Sequence, residues 1–155
     1  KVNLEAFNIS TLINKIDTKF LPQAKENGLN LSFEHLGDAT NWYGDSDRIE
    51  QILTNLIDNA MRYTHQNDSI EVIFDDTQEE DFVIIVNDTG VGIAKEHLEQ
   101  IFDRFYKVDA SRTRGKHGTG LGLFIVQKII DAHDGTINVK SEEGKGTQFT
   151  ITLPK

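Results

Sequence analysis

Five successive residues, Phe82 to Val86, are apolar, and this run constrains the fold more than any other feature of the sequence. A strand without polar positions is typical of the centre of a sheet that is covered on both faces. Ser69–Asp75 before it and Phe149–Leu153 after it alternate apolar with polar residues, as strands with one buried face do. These patterns predict a sheet with Phe82–Val86 at its centre, buried on both faces.

Four segments carry apolar residues at helical spacing. The predicted helices cover Asn8–Asn27, Asp45 or Ser46 to about Tyr63, Lys95–Ile101 and about Leu121–His133. Gly28 and Gly135 are placed to end the first and the last of them, and Pro22 is expected to kink or split the first. Further strands are predicted at Leu29–Phe33 and Ile137–Val139, the latter in a closing hairpin around Gly144 and Gly146. Because strands and helices do not alternate strictly, we predict an α/β (α+β) two-layer sandwich, a mixed β-sheet with about three helices on one face.

Composition excludes several classes of function. The 155 residues fit one domain with a net charge of −9, which repels phosphate backbones and argues against nucleic acid as a partner. There is no cysteine, and the five histidines are never three or four residues apart, which argues against a transition-metal site. The acidic turn Asp75–Asp81 is interpreted as a solvated hairpin tip rather than a metal site. With no apolar run of 18 residues and no signal-peptide pattern, we expect a soluble cytoplasmic domain.

The second predicted helix carries a polar stripe beside its apolar face. Asn55, Asn59 and Arg62 fall within roughly 60° of one another at about 100° per residue. Amide oxygens are hard ligands suited to Mg²⁺, and arginine pairs with phosphate. Taken alone, the stripe is better explained as an ordinary polar helix face.

Two glycine-rich segments follow. Asp88-Thr89-Gly90-Val91-Gly92 comes directly after the central strand, where the carboxylate could accept a hydrogen bond from an exocyclic amine, although an ordinary turn is the simpler interpretation. Gly118-Thr119-Gly120-Leu121-Gly122-Leu123 opens the last helix, where backbone N–H groups favour phosphate. Its spacing matches neither a Walker loop nor the Rossmann fingerprint.

The order of these segments is more specific than any one of them. Asn-x-x-x-Asn, Asp-x-Gly-x-Gly, Phe102-x-x-Phe105 and Gly-x-Gly-x-Gly resemble the N, G1, F and G2 boxes of sensor histidine kinases. The resemblance runs from about Leu4 to Leu153 and includes the tail that begins at His133-Asp-Gly and ends at Gly146-Thr147-Gln-Phe149. It implies the Bergerat ATP-binding fold of gyrase and the mismatch-repair ATPases. Residues 1–155 are then the single catalytic and ATP-binding domain of a bacterial two-component sensor histidine kinase.

The resemblance also implies roles for individual residues. Asn59 is the expected Mg²⁺ ligand, Asp88 the partner of the adenine amine, and residues 106–117 the ATP lid, which we expect to order on nucleotide binding. Arg62 stands where the family commonly has lysine, and Lys107 where arginine is frequent. The residues expected at the nucleotide are Asn55, Asn59, Arg62, Tyr63, Asp88, Gly90, Gly92, Ile93, Tyr106, Lys107, Gly118, Thr119, Gly120, Leu121, Gly122, Leu123 and Thr147, of which Asn55, Asn59 and Arg62 are also the catalytic set.

The implied reaction is transfer of the ATP γ-phosphoryl group to a histidine on a separate dimerisation hairpin, and from there to a response regulator aspartate. Hydrolytic relatives have a glutamate general base where Asn55 stands, and an amide cannot activate water in that way. Only His133 among the five histidines precedes an acidic residue, and Gly135 ends its helix. The acceptor hairpin is therefore expected outside the chain, in a homodimeric, membrane-anchored parent, with the isolated domain monomeric. The alternatives are an ATPase or serine kinase of the same fold, and a nucleotide-sensing module without catalysis.

Overall fold

The computed structural model describes residues 1–104, 106 and 122–155. The described elements are β1 (Glu5–Asn8), α1 (Ile9–Glu26), β2 (Asn30–Leu36), β3 (Asn41–Gly44), α2 (Ser46–Arg62), β4 (Ser69–Asp75), β5 (Asp81–Asp88), a 3₁₀ turn (Lys95–His97), α3 (Gly122–Ala132), β6 (Thr136–Glu142) and β7 (Gly146–Pro154). Outside the described residues lie Phe105, residues 107–117 of the expected lid, and the expected site residues Lys107, Gly118, Thr119, Gly120 and Leu121.

Five strands form the main sheet, in the order β2-β4-β5-β7-β6. β2 runs parallel to β4, whereas the pairs β4–β5, β5–β7 and β6–β7 are antiparallel. In the described chain α1, α2 and α3 are the α-helices, and they cover one face of this sheet, so the predicted two-layer sandwich with a mixed sheet is confirmed. Among the described residues no helix is both long and apolar enough to cross a bilayer.

β5 is the central strand, as predicted, but it is not buried on both faces. Phe82, Ile84, Val86 and Asp88 point towards the helices and are buried, whereas the alternate residues between them are half-exposed. None of the described helices covers the second face, where apolar residues contact neighbours in the sheet; Ile85, for example, lies opposite Ile73. An apolar run therefore does not by itself distinguish a doubly covered strand from one with a partly open face.

α1 begins and ends where the sequence predicted. The Asn8 side chain caps its first turn by accepting from the Thr11 amide at 2.9 Å, and Gly28 follows its last turn with a φ of +69°. Pro22 does not split the helix. Its nitrogen cannot donate to the Thr18 carbonyl, so one bond of the helix is lost while the helix continues to Glu26.

α2 also matches its predicted bounds. The Asp45 carboxylate caps it by accepting from the Arg48 amide at 3.3 Å. Its buried stripe packs between the sheet and α3 and comprises Ile49, Ile52, Leu53, Leu56, Ile57, Ala60 and Met61. The polar residues Asn55, Asn59 and Arg62 lie half-buried along the edge of this stripe.

The helix predicted over Lys95–Ile101 is shorter than expected. Only Lys95–His97 is helical, as one 3₁₀ turn, and the chain continues in turns. Tertiary contacts explain the difference, because Ile101 is buried and the Phe102 ring packs edge-on against Phe149 at 6.2 Å. A short segment gains little from helical hydrogen bonds and follows such contacts instead.

The acidic turn after β4 is only partly a solvated tip. Asp76 is buried and accepts hydrogen bonds from His35 Nε2 at 2.7 Å and Trp42 Nε1 at 3.0 Å. Burial alone would raise the pKa of Asp76, but these hydrogen bonds hold it below its ordinary value. Trp42 also stacks on Phe82 at 4.5 Å and thereby attaches the unpredicted β1–β3 sheet to the core.

Candidate functional site

Asp88 is the last residue of β5 and its carboxyl group is buried on the helical side of the sheet. Its Oδ1 accepts a hydrogen bond from the Gly90 amide at 2.9 Å. Burial raises the pKa of Asp88 to about 6; nearby Asp68 adds to this, and the backbone N–H groups of Gly90 and Thr147 oppose it. At neutral pH the site therefore presents a carboxylate that is largely ionised and mostly removed from water, and among the described residues it forms no salt bridge.

The loop after Asp88 is held against α2 by close backbone contacts. The Val91 amide donates to the Tyr63 carbonyl at 2.9 Å. A Cβ added at Gly90 would lie 2.1 Å from that same carbonyl oxygen, so only glycine fits there. Gly90 thus allows the loop to approach the last turn of α2, and the half-buried Tyr63 joins the edge of the site.

The other side of the loop contacts the turn between β6 and β7. Gly92 has a φ of +76°, and an added Cβ there would lie 2.2 Å from the Glu142 carbonyl oxygen. The Gly144 amide donates to the Val91 carbonyl at 2.8 Å. Both expected glycines of this loop are therefore required by contacts within the protein, whatever they do for a ligand.

Ser141 is a residue that the sequence reasoning missed. Its Oγ accepts from the Ile93 amide at 2.7 Å, donates to the Gly146 carbonyl at 2.9 Å, and lies 2.8 Å from the Thr147 hydroxyl. Ser141 is the strand partner of Thr147 across the hairpin around Gly144, a pairing that only the structure shows. Ser141 joins Ile93 and Thr147, two of the expected nucleotide residues.

Thr147 lies beside Asp88 at the same end of the sheet. The two residues are partners across β5 and β7, and both side chains are buried on the helical face. Directly opposed residues of an antiparallel pair have Cβ atoms about 4.5–5.5 Å apart. The sheet register therefore places a buried hydroxyl next to the buried carboxylate.

The polar edge of α2 meets the start of α3. Asn55 Nδ2 donates to the carbonyl of Gly122, the first residue of α3, at 3.2 Å. Asn59 and Arg62 are half-buried one and two turns further along. Burial raises the pKa of Asp58 next to them, while the charges of Arg62 and Lys19 oppose the shift.

Tyr106 and Leu123, two further residues expected at the nucleotide, contact other parts of the protein. The Tyr106 hydroxyl hydrogen-bonds His97 Nδ1, with the two rings 5.9 Å apart. Leu123 is half-buried in the first turn of α3. Contacts join the described part of the expected set in two groups: Asn55 with the start of α3, and Gly90 and Thr147 with Asp88.

The donor set fits a Mg²⁺ ion that enters with a nucleotide. Among the described residues, no three His, Cys, Asp or Glu side chains converge as metal ligands. The amide oxygens of Asn55 and Asn59 are hard donors one helical turn apart, and the bond that Asn55 makes to Gly122 uses its nitrogen rather than its oxygen. Mg²⁺ in such sites is usually held by few protein ligands together with phosphate oxygens and water.

Three of the four described histidines have identified partners. His133 is buried; its Nδ1 donates to the Ile129 carbonyl at 3.0 Å, and its Nε2 accepts from the Asp45 amide at 3.1 Å. His35 pairs with Asp76 and His97 with Tyr106. His65 is exposed and precedes Gln66, while His117 lies outside the described residues. His133, which alone precedes an acidic residue, has no ring nitrogen free for phosphorylation.

Comparison with known proteins gives consistent matches over nearly the whole chain. Residues 44–155 match the family described as histidine kinase-, DNA gyrase B-, and HSP90-like ATPase. The chain is 54% identical over 154 residues to the sensor protein SrrB of Staphylococcus aureus, covering 99% of this chain and 26% of SrrB. It therefore spans about a quarter of the length of the curated relatives it matches.

Solved structures extend the likeness to the fold. The catalytic domain of histidine kinase ThkA has a TM-score of 0.85 at 30% identity, covering 99% of this chain and 98% of that domain. Full-length ShkA in complex with AMPPNP has a TM-score of 0.86 at 27% identity, covering 99% of this chain and 31% of ShkA. ThkA in complex with the response regulator protein TrrA has a TM-score of 0.81 at 28% identity, covering 99% and 42%. With the boxes in order and the sheet and helices arranged as described, the chain belongs to the histidine kinase-, DNA gyrase B- and HSP90-like ATPase family and is a histidine kinase catalytic domain with the Bergerat fold.

Proposed function

We propose that this domain binds Mg²⁺-ATP and supplies the γ-phosphoryl group for phosphorylation of a histidine. The observation that carries the proposal is the buried Asp88 carboxylate between the glycine-dependent loop and Thr147. A buried acceptor of this kind is suited to the exocyclic amine of adenine, because a charge-assisted hydrogen bond offsets its burial. ShkA, which shares the fold, was crystallised with AMPPNP, an analogue of ATP.

The residues divide between the two ends of the nucleotide. Asp88, Gly90, Gly92, Ile93 and Thr147 hold the base. A second group holds the phosphates and comprises Asn55, Asn59, Arg62, Tyr63, Tyr106, Lys107, Gly118, Thr119, Gly120, Leu121, Gly122 and Leu123. Asn59 binds Mg²⁺ through its amide oxygen, and the ion neutralises charge on the phosphate oxygens.

The acceptor is a histidine on a dimerisation hairpin of the parent protein. A lone pair of its imidazole forms the N–P bond while the bond from the γ-phosphorus to the β–γ bridging oxygen breaks, ADP leaves, and the proton of the imidazole passes to a base on the hairpin. This domain contributes positioning and the charge of Arg62 rather than a covalent step. Asn55 cannot act as a general base for water, so ATP is held until the acceptor arrives.

The phosphoryl group then passes from the histidine to an aspartate of a response regulator. ThkA, a relative of the same fold, has been solved with the response regulator TrrA. The parent is a homodimeric sensor kinase of the cell membrane, with this domain on the cytoplasmic side. SrrB, about four times as long as the aligned segment, supports a larger parent of this kind.

Calorimetric titration tests the nucleotide part of the proposal. ADP and ATP should bind one site per chain, more tightly with Mg²⁺ than without it, and GTP should bind at least tenfold more weakly. Binding of ATP and GTP with equal affinity, or no binding at all, would contradict the proposed function.

A further inference from the structure

Ser141 has three polar neighbours, and only one arrangement of hydrogens makes all three contacts hydrogen bonds. A serine hydroxyl has one proton and two lone pairs. The Ile93 amide only donates and the Gly146 carbonyl only accepts, at 2.7 Å and 2.9 Å from Oγ. The proton of Ser141 is therefore directed to Gly146, and the 2.8 Å contact with Thr147 is made by the proton of the threonine.

This arrangement restricts the hydrogen bonds that Thr147 can make. Its one hydroxyl proton is used on Ser141, so towards any ligand it presents lone pairs only. Its strand partner Asp88 has one oxygen on the Gly90 amide, and as a carboxylate it too only accepts. The end of the site is thus lined by two side chains that accept hydrogen bonds and do not donate them.

We propose that Ser141 is a positioning residue that fixes the direction of the Thr147 hydroxyl and so helps the site select a base with an exocyclic amine over one with an oxo group in the same place. The inference rests on the proposed function, because it concerns the base of the nucleotide bound there. An amine offers two N–H donors to this acceptor-only end. An oxo group is itself an acceptor, so Asp88 and Thr147 would face it without a hydrogen to share. Unpaired acceptors in a buried site weaken binding.

The test compares ADP with inosine 5′-diphosphate, which carries an oxo group in place of the 6-amine. Titrations run at pH 8, where Asp88 is ionised. The native chain should prefer ADP. In Ser141→Ala the Thr147 hydroxyl is free to turn and donate, so the preference should fall about fivefold, the effect of roughly one hydrogen bond. Ser141→Thr keeps the hydroxyl and should restore the preference, and Thr136→Ala removes an exposed hydroxyl from the same strand as a control.

A second experiment distinguishes a positioning role of Ser141 from a general loss of structure in the Ser141→Ala chain. If Ser141 acts through Thr147, then Ser141→Ala should not change the ADP preference further in a chain that already carries Thr147→Val. Should Ser141→Ala fold poorly, Ser141→Cys replaces it, because a thiol is a weak donor of similar size.

Two results would overturn the inference while leaving ADP binding intact. One is a native chain that binds ADP and inosine diphosphate equally. The other is a Ser141→Ala chain in which both affinities fall by the same factor, as a general loosening of the site would produce. A native chain that binds neither nucleotide would instead contradict the proposed function itself, and this inference with it.

Discussion

Asn55 donates its side-chain amide to the Gly122 carbonyl at 3.2 Å, which joins the middle of α2 to the first residue of α3. A second bond, from the Asp45 amide to His133 Nε2 at 3.1 Å, joins the start of α2 to the residue after α3. α3 is therefore fixed to α2 at both of its ends.

Asn55→Asp should destabilise the domain. The substitution replaces the donor with a carboxylate that faces the Gly122 carbonyl in a partly buried position, which we expect to cost about 1–3 kcal/mol of unfolding free energy. Urea denaturation without nucleotide measures the change. Asn14→Asp makes the same substitution at an exposed position of α1 and should have little effect. Equal stability of the two variants would show that the Asn55–Gly122 bond contributes nothing.

His133→Leu should also destabilise the domain, with little effect on ADP affinity. The change leaves the Asp45 amide without its partner and removes one of the two donors to the Ile129 carbonyl, which still accepts from the backbone amide of residue 133. We expect this to cost about 1–3 kcal/mol. His65→Leu is the matched control at an exposed histidine. Thermal unfolding with and without ADP measures both effects, and a fully stable His133→Leu chain would contradict the structural role.

Asp88→Asn should weaken ADP binding by about 10- to 150-fold, or about 1.5–3 kcal/mol, because a charge-assisted hydrogen bond to the base is lost. The amide oxygen is still able to accept from the Gly90 amide, so the fold should persist. Asp81→Asn, at the other end of β5, serves as the control. Calorimetry on the three chains decides the matter, and an unchanged affinity in a folded Asp88→Asn domain would remove Asp88 from the base site.

Asp88 should also make the nucleotide-free domain less stable as pH rises, which is the reverse of the usual effect of a carboxyl group. The pKa of Asp88 rises from 3.8 to about 6 on folding, so the folded chain binds more protons than the unfolded chain between these values. Stability should therefore fall as pH increases from about 4 to about 6, by up to about 3 kcal/mol, and stay level above that range.

Asp76 should make stability depend on pH in the opposite direction and over a more acidic range. Its pKa is lowered on folding, so its contribution is present above about 4 and is lost only in more acidic solution. Urea denaturation of the native and Asp88→Asn chains from pH 4 to pH 8 isolates Asp88 as the difference between them. Parallel curves would mean that the carboxyl group is not desolvated.

Periodicity predicted most of the fold because most elements bury one continuous face. Both long helices and the five main-sheet strands were located from their apolar residues. The strands predicted at Leu29–Phe33, Ile137–Val139 and Phe149–Leu153 are shorter than β2, β6 and β7 in the structure. β1 and β3 escaped prediction since each has only four residues and depends on the tertiary contacts of Trp42 with Phe82 and Asp76. The half-exposure of one face of β5 depends on what packs against that face, which the residues Phe82–Val86 do not show.

Some residues of the candidate site could likewise be named from the sequence, and others could not. Asp88, the α2 asparagines and the glycines stand in ordered motifs and could be named from the sequence. Ser141 could not, because its importance comes from three hydrogen-bond partners brought together only when β6 pairs with β7. Gly90 could be named, yet the Tyr63 carbonyl that makes glycine necessary there belongs to a distant helix.

Incubation with ATP labelled at the γ-phosphate tests the central claim most directly. The isolated domain should bind the nucleotide but release little phosphate and carry no label, because Asn55 cannot activate water and His133 has both ring nitrogens engaged. Addition of the parent's separate hairpin domain should bring acid-labile label onto the hairpin, much less with Asp88→Asn. Productive transfer needs the acceptor nitrogen within roughly 3–3.5 Å of the phosphorus, which only docking supplies. Label on this domain alone, or rapid phosphate release without the hairpin, would contradict the account and favour an ATPase.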